Sequence, residues 1–137
     1  MDVIQCNNVQ MRYASGADSL TVLDIPEWTL AEGVQVAVSG ASGSGKSTFL
    51  HILSGLLPPS SGKVVIDGVD MYAMTEAQRD IFRARHLSCI FQSFNLLQGY
   101  SALENVMLGY AFSRRESRSL SRTEVREVAQ NLLQSVR

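Results

Sequence analysis

Gly40-Ala41-Ser42-Gly43-Ser44-Gly45-Lys46-Ser47, followed by Thr48, lies between two segments of different character. Upstream, Val34-Gln35-Val36-Ala37-Val38 has the length and branched apolar content of a buried strand; downstream, Ser47-Thr48-Phe49-Leu50-His51-Ile52-Leu53-Ser54 reads as a helix. The pattern G-x-x-x-x-G-K-[ST] between a strand and a helix implies a phosphate-bearing ligand, a nucleoside triphosphate. Ser42, Gly43, Ser44 and Gly45 supply a wrapped backbone whose N–H groups turn inward at phosphate oxygens. The helix that follows aims its positive end at the same anion. Lys46 is placed to bridge the β- and γ-phosphates, the Ser47 hydroxyl to ligate Mg²⁺, and Thr48 to reach the α-phosphate. A turn that merely joined a strand to a helix would need neither the lysine nor the hydroxyl beside it.

Outward from this stretch the chain punctuates itself. Val3 to Tyr13 is a strand candidate, Ala14 to Ser19 a turn around Gly16, and Leu20 to Ile25 a second strand that Pro26 is expected to end. Gly55 and Pro58-Pro59 close the loop helix, and Lys63-Val64-Val65-Ile66-Asp67-Gly68 is a short strand finished by an Asp-Gly turn. Thr75 with Gln78, Ser101 with Glu104 and Ser121 with Glu124 have the spacing of capping boxes, each opening a helix. Leu87-Ser88-Cys89-Ile90-Phe91 between the first two reads as another buried strand. Leu103, Val106, Met107 and Tyr110 share one helix face, and Val125, Val128, Ala129, Leu132, Leu133 and Val136 form an apolar stripe on the last helix.

Composition narrows the class. The 137 residues are enough for one domain, no apolar run approaches a membrane span, and the first residues lack the basic and apolar regions of a signal peptide. A cytosolic protein, or one peripheral on a cytosolic membrane face, is the expectation. Cys6 and Cys89 have no metal-ligand or redox spacing, so two buried free thiols are expected. Net charge is −1 but unevenly spread, with nine basic and five acidic residues after position 78 against three and eight before it. The arginines at Arg114, Arg115 and Arg118 alternate with serine and Glu116 without aromatic interleaving, which reads as a solvated helical surface in preference to a contact for an acidic partner or lipid head groups, and no nucleic-acid partner is expected.

The ordered series of strand, phosphate loop and helix, then Ser61-Gly62-Lys63-Val64-Val65-Ile66-Asp67-Gly68, then Phe91-Gln92-Ser93-Phe94-Asn95-Leu96-Leu97, then Ala102-Leu103-Glu104-Asn105-Val106 resembles the nucleotide-binding domain of ATP-binding cassette (ABC) transporters. Within that family it is most similar to the branch that powers lipoprotein release and macrolide-type export. The resemblance runs from about residue 2 to the C-terminus. It implies an α/β fold, a partial P-loop NTPase core with a parallel sheet, an N-terminal antiparallel β portion and the start of a helical subdomain. The implied parts of this single truncated domain are 1–33 and 62–70 for the β portion, 34–61 for the phosphate-loop core, 71–100 for the core helix, strand and glutamine loop, and 101–137 for the helical subdomain.

Carried onto this sequence, the resemblance implies that Tyr13 stacks on adenine and that Gln92 reaches the Mg²⁺ and the attacking water. The loop after Gln92 and the helical subdomain would meet a transmembrane subunit on the cytoplasmic face of the inner (plasma) membrane, and a homodimer or second nucleotide-binding domain would complete the site. His51 falls at a packing position, and Gln98 stands where this branch often carries proline. The family's Leu-Ser-Gly-Gly-Gln-like signature, its Mg²⁺-associated Asp, catalytic Glu and switch His have no counterpart in the 137 residues. The expectation is an amino-terminal fragment that binds ATP and Mg²⁺ better than it hydrolyses ATP. A non-catalytic ATP-sensing or regulatory module is the competing reading. A chromosome-organising ABC ATPase would usually carry Asn at the position of Ser42, and a GTPase would need an Asn-Lys-x-Asp motif, which is absent.

Overall fold

The computed structural model describes residues 1–16, 18–93, 95–113 and 120–136. Phe94, Arg114, Arg115, Glu116 and Arg118 of the sequence reading, and the Ala17 part of its first turn, lie outside them. The chain divides into two compact units, Met1–Arg83 and Ala84–Arg137.

In the first unit, β1 (Asp2–Ser15) and β2 (Asp18–Ala31) form a long antiparallel hairpin, and β3 (Ser61–Ile66) pairs with the other edge of β1. A two-residue β4 (Val69–Asp70) completes a sheet in the order β2-β1-β3-β4. The buried residues of β1 are Cys6, Val9 and Met11, a spacing that breaks strict alternation. A bulge restores it: the register against β3 slips between Asn7 and Gln10, and Asn8 takes a left-handed φ of 51°. Gly62 of β3 lies directly under that bulge, where a Cβ would collide with the Asn8 carbonyl. Val64, Ile66 and Met71 complete the buried patch. Asp67 and Gly68, with φ of 48° and 77°, make the tight turn from β3 to β4 that the Asp-Gly pair predicts.

Between β2 and β3 the chain makes α1 (Lys46–Leu53), whose buried Phe49 meets Trp28 of β2 edge to face at 5.3 Å. Gly55, at φ 71°, ends α1 with the Leu56 N–H donating to the His51 carbonyl at 2.9 Å. The Tyr72 hydroxyl then fixes this end by bonding the carbonyls of Ile52 and Leu57 at 2.6 and 2.7 Å, and burial pushes its pKa up to about 12. α2 (Glu76–His86) follows, opened by the Thr75–Gln78 capping box.

The second unit is helical. Ser101 and Ser121 cap α3 (Ala102–Ser113) and α4 (Arg122–Ser135), each accepting from the N–H of a glutamate three residues on while that carboxylate accepts from the serine N–H. α4 buries Val125 and Ala129.

Five expectations fail. Val34–Val38 joins no ladder, and Val34, Val36 and Val38 are 52, 53 and 40% exposed. Leu87–Phe91 is likewise no strand, with Ile90 fully exposed. A strand exists through its hydrogen-bonded neighbours, and the described residues offer these two segments none, so no parallel sheet forms among them. Pro26 does not end β2, because β2 is an edge strand and its outward side needs no N–H donor. Cys89 is exposed, and only Cys6 is buried, its thiol pushed up to about 11 by burial. On α4 the stripe narrows: Val128, Leu132 and Val136 are exposed, because among the described residues of its unit the helix packs mainly on α3.

Candidate functional site

The loop before α1 takes its shape from glycines at Gly40, Gly43 and Gly45, with φ of 154°, 81° and 86°. At Gly43 a Cβ would meet nothing within 4 Å, so the demand there is conformational only. Gly45 faces a second demand. β2 carries a bulge where Met11 pairs with Leu23 but Arg12 with Thr21, leaving Val22 as the extra residue. A Cβ on Gly45 would lie 2.9 Å from the Val22 carbonyl oxygen and 2.9 Å from Leu23 Cδ2. The bulged edge strand thus seats the start of α1 directly against the sheet.

Gly45 is the N-cap of α1 and supplies no side-chain acceptor, so no side chain claims the N–H groups of the first turn. These groups and the positive end of the helix face the loop that Lys46 spans. The Lys46 ammonium donates to the carbonyls of Gly40 at 2.8 Å and Ala41 at 2.6 Å, with Ser44 Oγ at 3.5 Å. The loop closes on itself through Ser44 N–H to the Ala41 carbonyl at 3.2 Å. A fixed cation, uncapped N–H groups and a left-handed backbone converge within one turn of chain, an arrangement suited to a polyphosphate. Ser42 is exposed at the rim, Ser47 is exposed on the first turn of α1, and Thr48 is half-buried beside it.

The Ser47 hydroxyl is a hard oxygen donor of the kind Mg²⁺ takes. Among the described residues no cluster of His, Cys, Asp or Glu could hold a metal by itself. The donor set therefore fits an ion shared between one hydroxyl and ligand oxygens, and not one caged by protein carboxylates.

Tyr13 lies on β1 opposite Leu20 and is 43% exposed. Leu20 is two residues along β2 from the Val22 bulge that abuts Gly45, so the hairpin brings the Tyr13 ring and the loop to the same end of the sheet. Gln92 belongs to the second unit, where it is exposed in a bend after the unpaired 87–91 segment. Tyr13 and the phosphate loop thus belong to one unit and Gln92 to the other.

Sequence reasoning missed three residues that hold these parts in place. Gly62 permits the β1 bulge, Tyr72 ties off α1, and Asn105 staples the turn before α3. Asn105 Oδ1 accepts from the Leu97 N–H at 2.8 Å, and its Nδ2 donates to the Tyr100 carbonyl at 3.2 Å and the Ser101 carbonyl at 3.0 Å. Only Gly62 had a signal, its place beside Ser61 at a turn; the roles of Tyr72 and Asn105 depend on partners far from them in sequence or on loop shape.

Residues 23–137 match the ABC transporter family. The chain belongs to that family. This ABC chain is 41% identical over 125 residues to the lipoprotein-releasing system ATP-binding protein LolD of Bordetella pertussis, covering 91% of this chain and 54% of that protein. It is 40% identical over 106 residues to LolD of Coxiella burnetii, covering 77% of this chain and 46% of the other. The ATP-binding cassette MJ0796, solved as a dimer in a post-hydrolysis state with ADP and Pi, superposes with a TM-score of 0.86 at 33% identity, over 96% of this chain and 56% of that one. The ABC chain therefore has the α/β fold of a partial cassette, falls with the lipoprotein-release branch, and spans about half the length of the curated relatives it matches. No helix among the described residues is long and apolar enough to cross a membrane.

Proposed function

We propose that this chain is the ATP-binding part of an ABC transporter subunit and that its first unit binds MgATP. The observation that carries the reading is the Lys46 ammonium held at 2.8 and 2.6 Å by the Gly40 and Ala41 carbonyls, across a loop that ends in an uncapped helix N-terminus. In this reading the loop N–H groups and Lys46 take the β- and γ-phosphates, Thr48 the α-phosphate, and Tyr13 the adenine face. Ser47 is the metal-facing side chain of the first unit; Mg²⁺, when bound, would spread the phosphate charge that Lys46 alone cannot neutralise.

The relatives' name, ATP-binding protein of a lipoprotein-releasing system, supports a part in such a system, and the dimeric cassette supports assembly of two such domains; a transmembrane partner on the cytoplasmic side is what the family resemblance adds to the proposal. The chain as a single ATP-binding domain, with residues 101–137 beginning its helical part, belongs to the same proposal. These 137 residues hold no Leu-Ser-Gly-Gly-Gln-like run, so the proposal is binding without turnover by this chain.

Calorimetric titration with MgATP tests it. Lys46→Ala removes a charged hydrogen bond of about 1.5–3 kcal/mol, a ~10- to ~150-fold loss of affinity. Equal affinity for wild type and variant would remove the phosphate loop from the account.

A further inference from the structure

α1 has eight residues, fewer than the ~12–15 that make a helix stable on its own, so its direction is set by what packs on it. Its phosphate-facing end is seated on the Val22 bulge through Gly45, and its middle rests on Trp28 through Phe49. Its far end is held by Tyr72, from the turn between β4 and α2.

The Tyr72 hydroxyl has one proton and lies 2.6 Å from the Ile52 carbonyl and 2.7 Å from the Leu57 carbonyl, so it ties the last turn of α1 to the chain that leads away from it. With its pKa pushed up to about 12 by burial, the hydroxyl keeps that proton at neutral pH. The ring is held in turn by Arg79 of α2, whose guanidinium carbon lies 5.3 Å from the ring centroid. Gly55 is packed into the same corner: a Cβ there would lie 2.8 Å from Met71 Cε, 3.1 Å from Arg83 Cδ and 3.4 Å from Arg79 Cδ. Lys46 lies three residues before Phe49 and Ile52 three residues after it, so the Trp28 contact is a pivot midway along the helix. Displacing the Ile52 carbonyl at one end tilts Lys46 and the uncapped N–H groups at the other. A built site holds its groups to within about 0.5 Å, so a tilt of that size is felt as lost affinity.

We propose that Tyr72 is a positioning residue for phosphate binding: its hydroxyl, with its ring held by Arg79, fixes the tilt of α1 and so aims Lys46 and the first-turn N–H groups at the phosphates. This role rests on the MgATP reading of the loop and adds to it a residue at the opposite end of the helix. A tyrosine that supported the fold alone would lower stability and leave the affinity of the folded chain unchanged.

Calorimetry on the intact chain with MgATP and with inorganic triphosphate, under conditions where circular dichroism shows each variant folded, separates the two. Tyr72→Phe keeps the ring beside Arg79 and removes the donor; both ligands should bind roughly 3- to 10-fold more weakly, and by the same factor, because the phosphates and not the base lose their contacts. Arg79→Met keeps an unbranched stem over Gly55; it should weaken both ligands by about 2- to 5-fold, and it gives the same reading if Tyr72→Phe does not fold. The emission of Trp28, the single tryptophan of the chain, should shift in both variants without nucleotide, because Phe49 moves against it, and should not shift in Lys46→Ala. Wild-type affinities with an unchanged Trp28 spectrum in either folded variant would reduce Tyr72 to a support of the fold. A loss for MgATP that spares inorganic triphosphate would also overturn the role, since the effect would then reach the base. Wild-type chain that binds neither ligand, or Lys46→Ala that binds as wild type does, would remove the phosphate loop itself and the role of Tyr72 with it.

Discussion

At Gly45 the phosphate loop and the sheet impose demands that only glycine meets together: a φ of 86°, and a Val22 carbonyl 2.9 Å from where a Cβ would sit. Gly43, at φ 81° with open space around it, answers to the first demand alone. Gly45→Ala should therefore cost more than Gly43→Ala. Backbone strain of about 1–3 kcal/mol applies to both, with the collision against β2 added at Gly45. Urea unfolding of the two variants checks the order, and equal losses would mean that β2 yields to the new methyl. Tyr13 is the other residue whose role can be isolated. If its exposed ring stacks on adenine, Tyr13→Ala should weaken ATP by about 1 kcal/mol, roughly fivefold, and leave inorganic triphosphate unaffected. Parallel loss of both ligands in calorimetry would make Tyr13 a support of the hairpin only. The loop was legible in the sequence because its glycines, lysine and serine act through local backbone geometry. The bulge at Val22 was not, because it is a property of the register between two strands and leaves no residue type as its mark.

Among the elements, the helices announced themselves, and so did the strands at 3–13, 20–25 and 63–68, whereas those expected at 34–38 and 87–91 did not form. All three capping boxes form at the serine or threonine and the glutamate or glutamine that the spacing indicates. A capping box closes within four residues, so sequence holds the whole interaction. A strand is completed by partners elsewhere in the chain, which is why Val34–Val38 and Leu87–Phe91 have strand composition and no ladder. Pro26 misled for the same reason: whether proline breaks a strand depends on whether that strand is an edge. The boxes also make the helices sensitive to acid. Bonds from the N–H of Ser101 and of Ser121, then from their hydroxyls, hold Glu104 and Glu124 below the ordinary carboxylate value of 4.5. A carboxylate depressed in the folded state binds fewer protons there than in the unfolded one. Its contribution is present above 4.5 and is lost as pH falls through the lowered value. Helicity by circular dichroism should fall over that acidic window. In the chain carrying Glu104→Gln and Glu124→Gln, where the amide keeps the acceptor without the charge, the fall should be smaller. An unchanged acid transition would mean that the boxes do not set it.

For the whole molecule the decisive question is whether binding and turnover part company. The family resemblance places hydrolysis between two domains, the phosphate loop of one facing the signature motif of the other while a glutamate polarises the water. This chain carries the phosphate loop with Lys46 and Ser47, and its 137 residues contain no Leu-Ser-Gly-Gly-Gln-like run. A dimer of identical chains would repeat the same half twice. The chain should then show no steady-state phosphate release above the Lys46→Ala background. ATP should nonetheless stabilise it, by about 2.7 kcal/mol at roughly 100 times the dissociation constant, since the ligand binds the folded form alone. Thermal or urea unfolding with and without MgATP gives the stabilisation, and a phosphate-release assay on the same preparation gives the turnover. Stabilisation that disappears in Lys46→Ala, with no release in either protein, is the expected pair. Release by the wild-type chain that vanishes in Lys46→Ala would show that these residues assemble a hydrolytic site without the signature run, and the division between binding and catalysis would have to be redrawn.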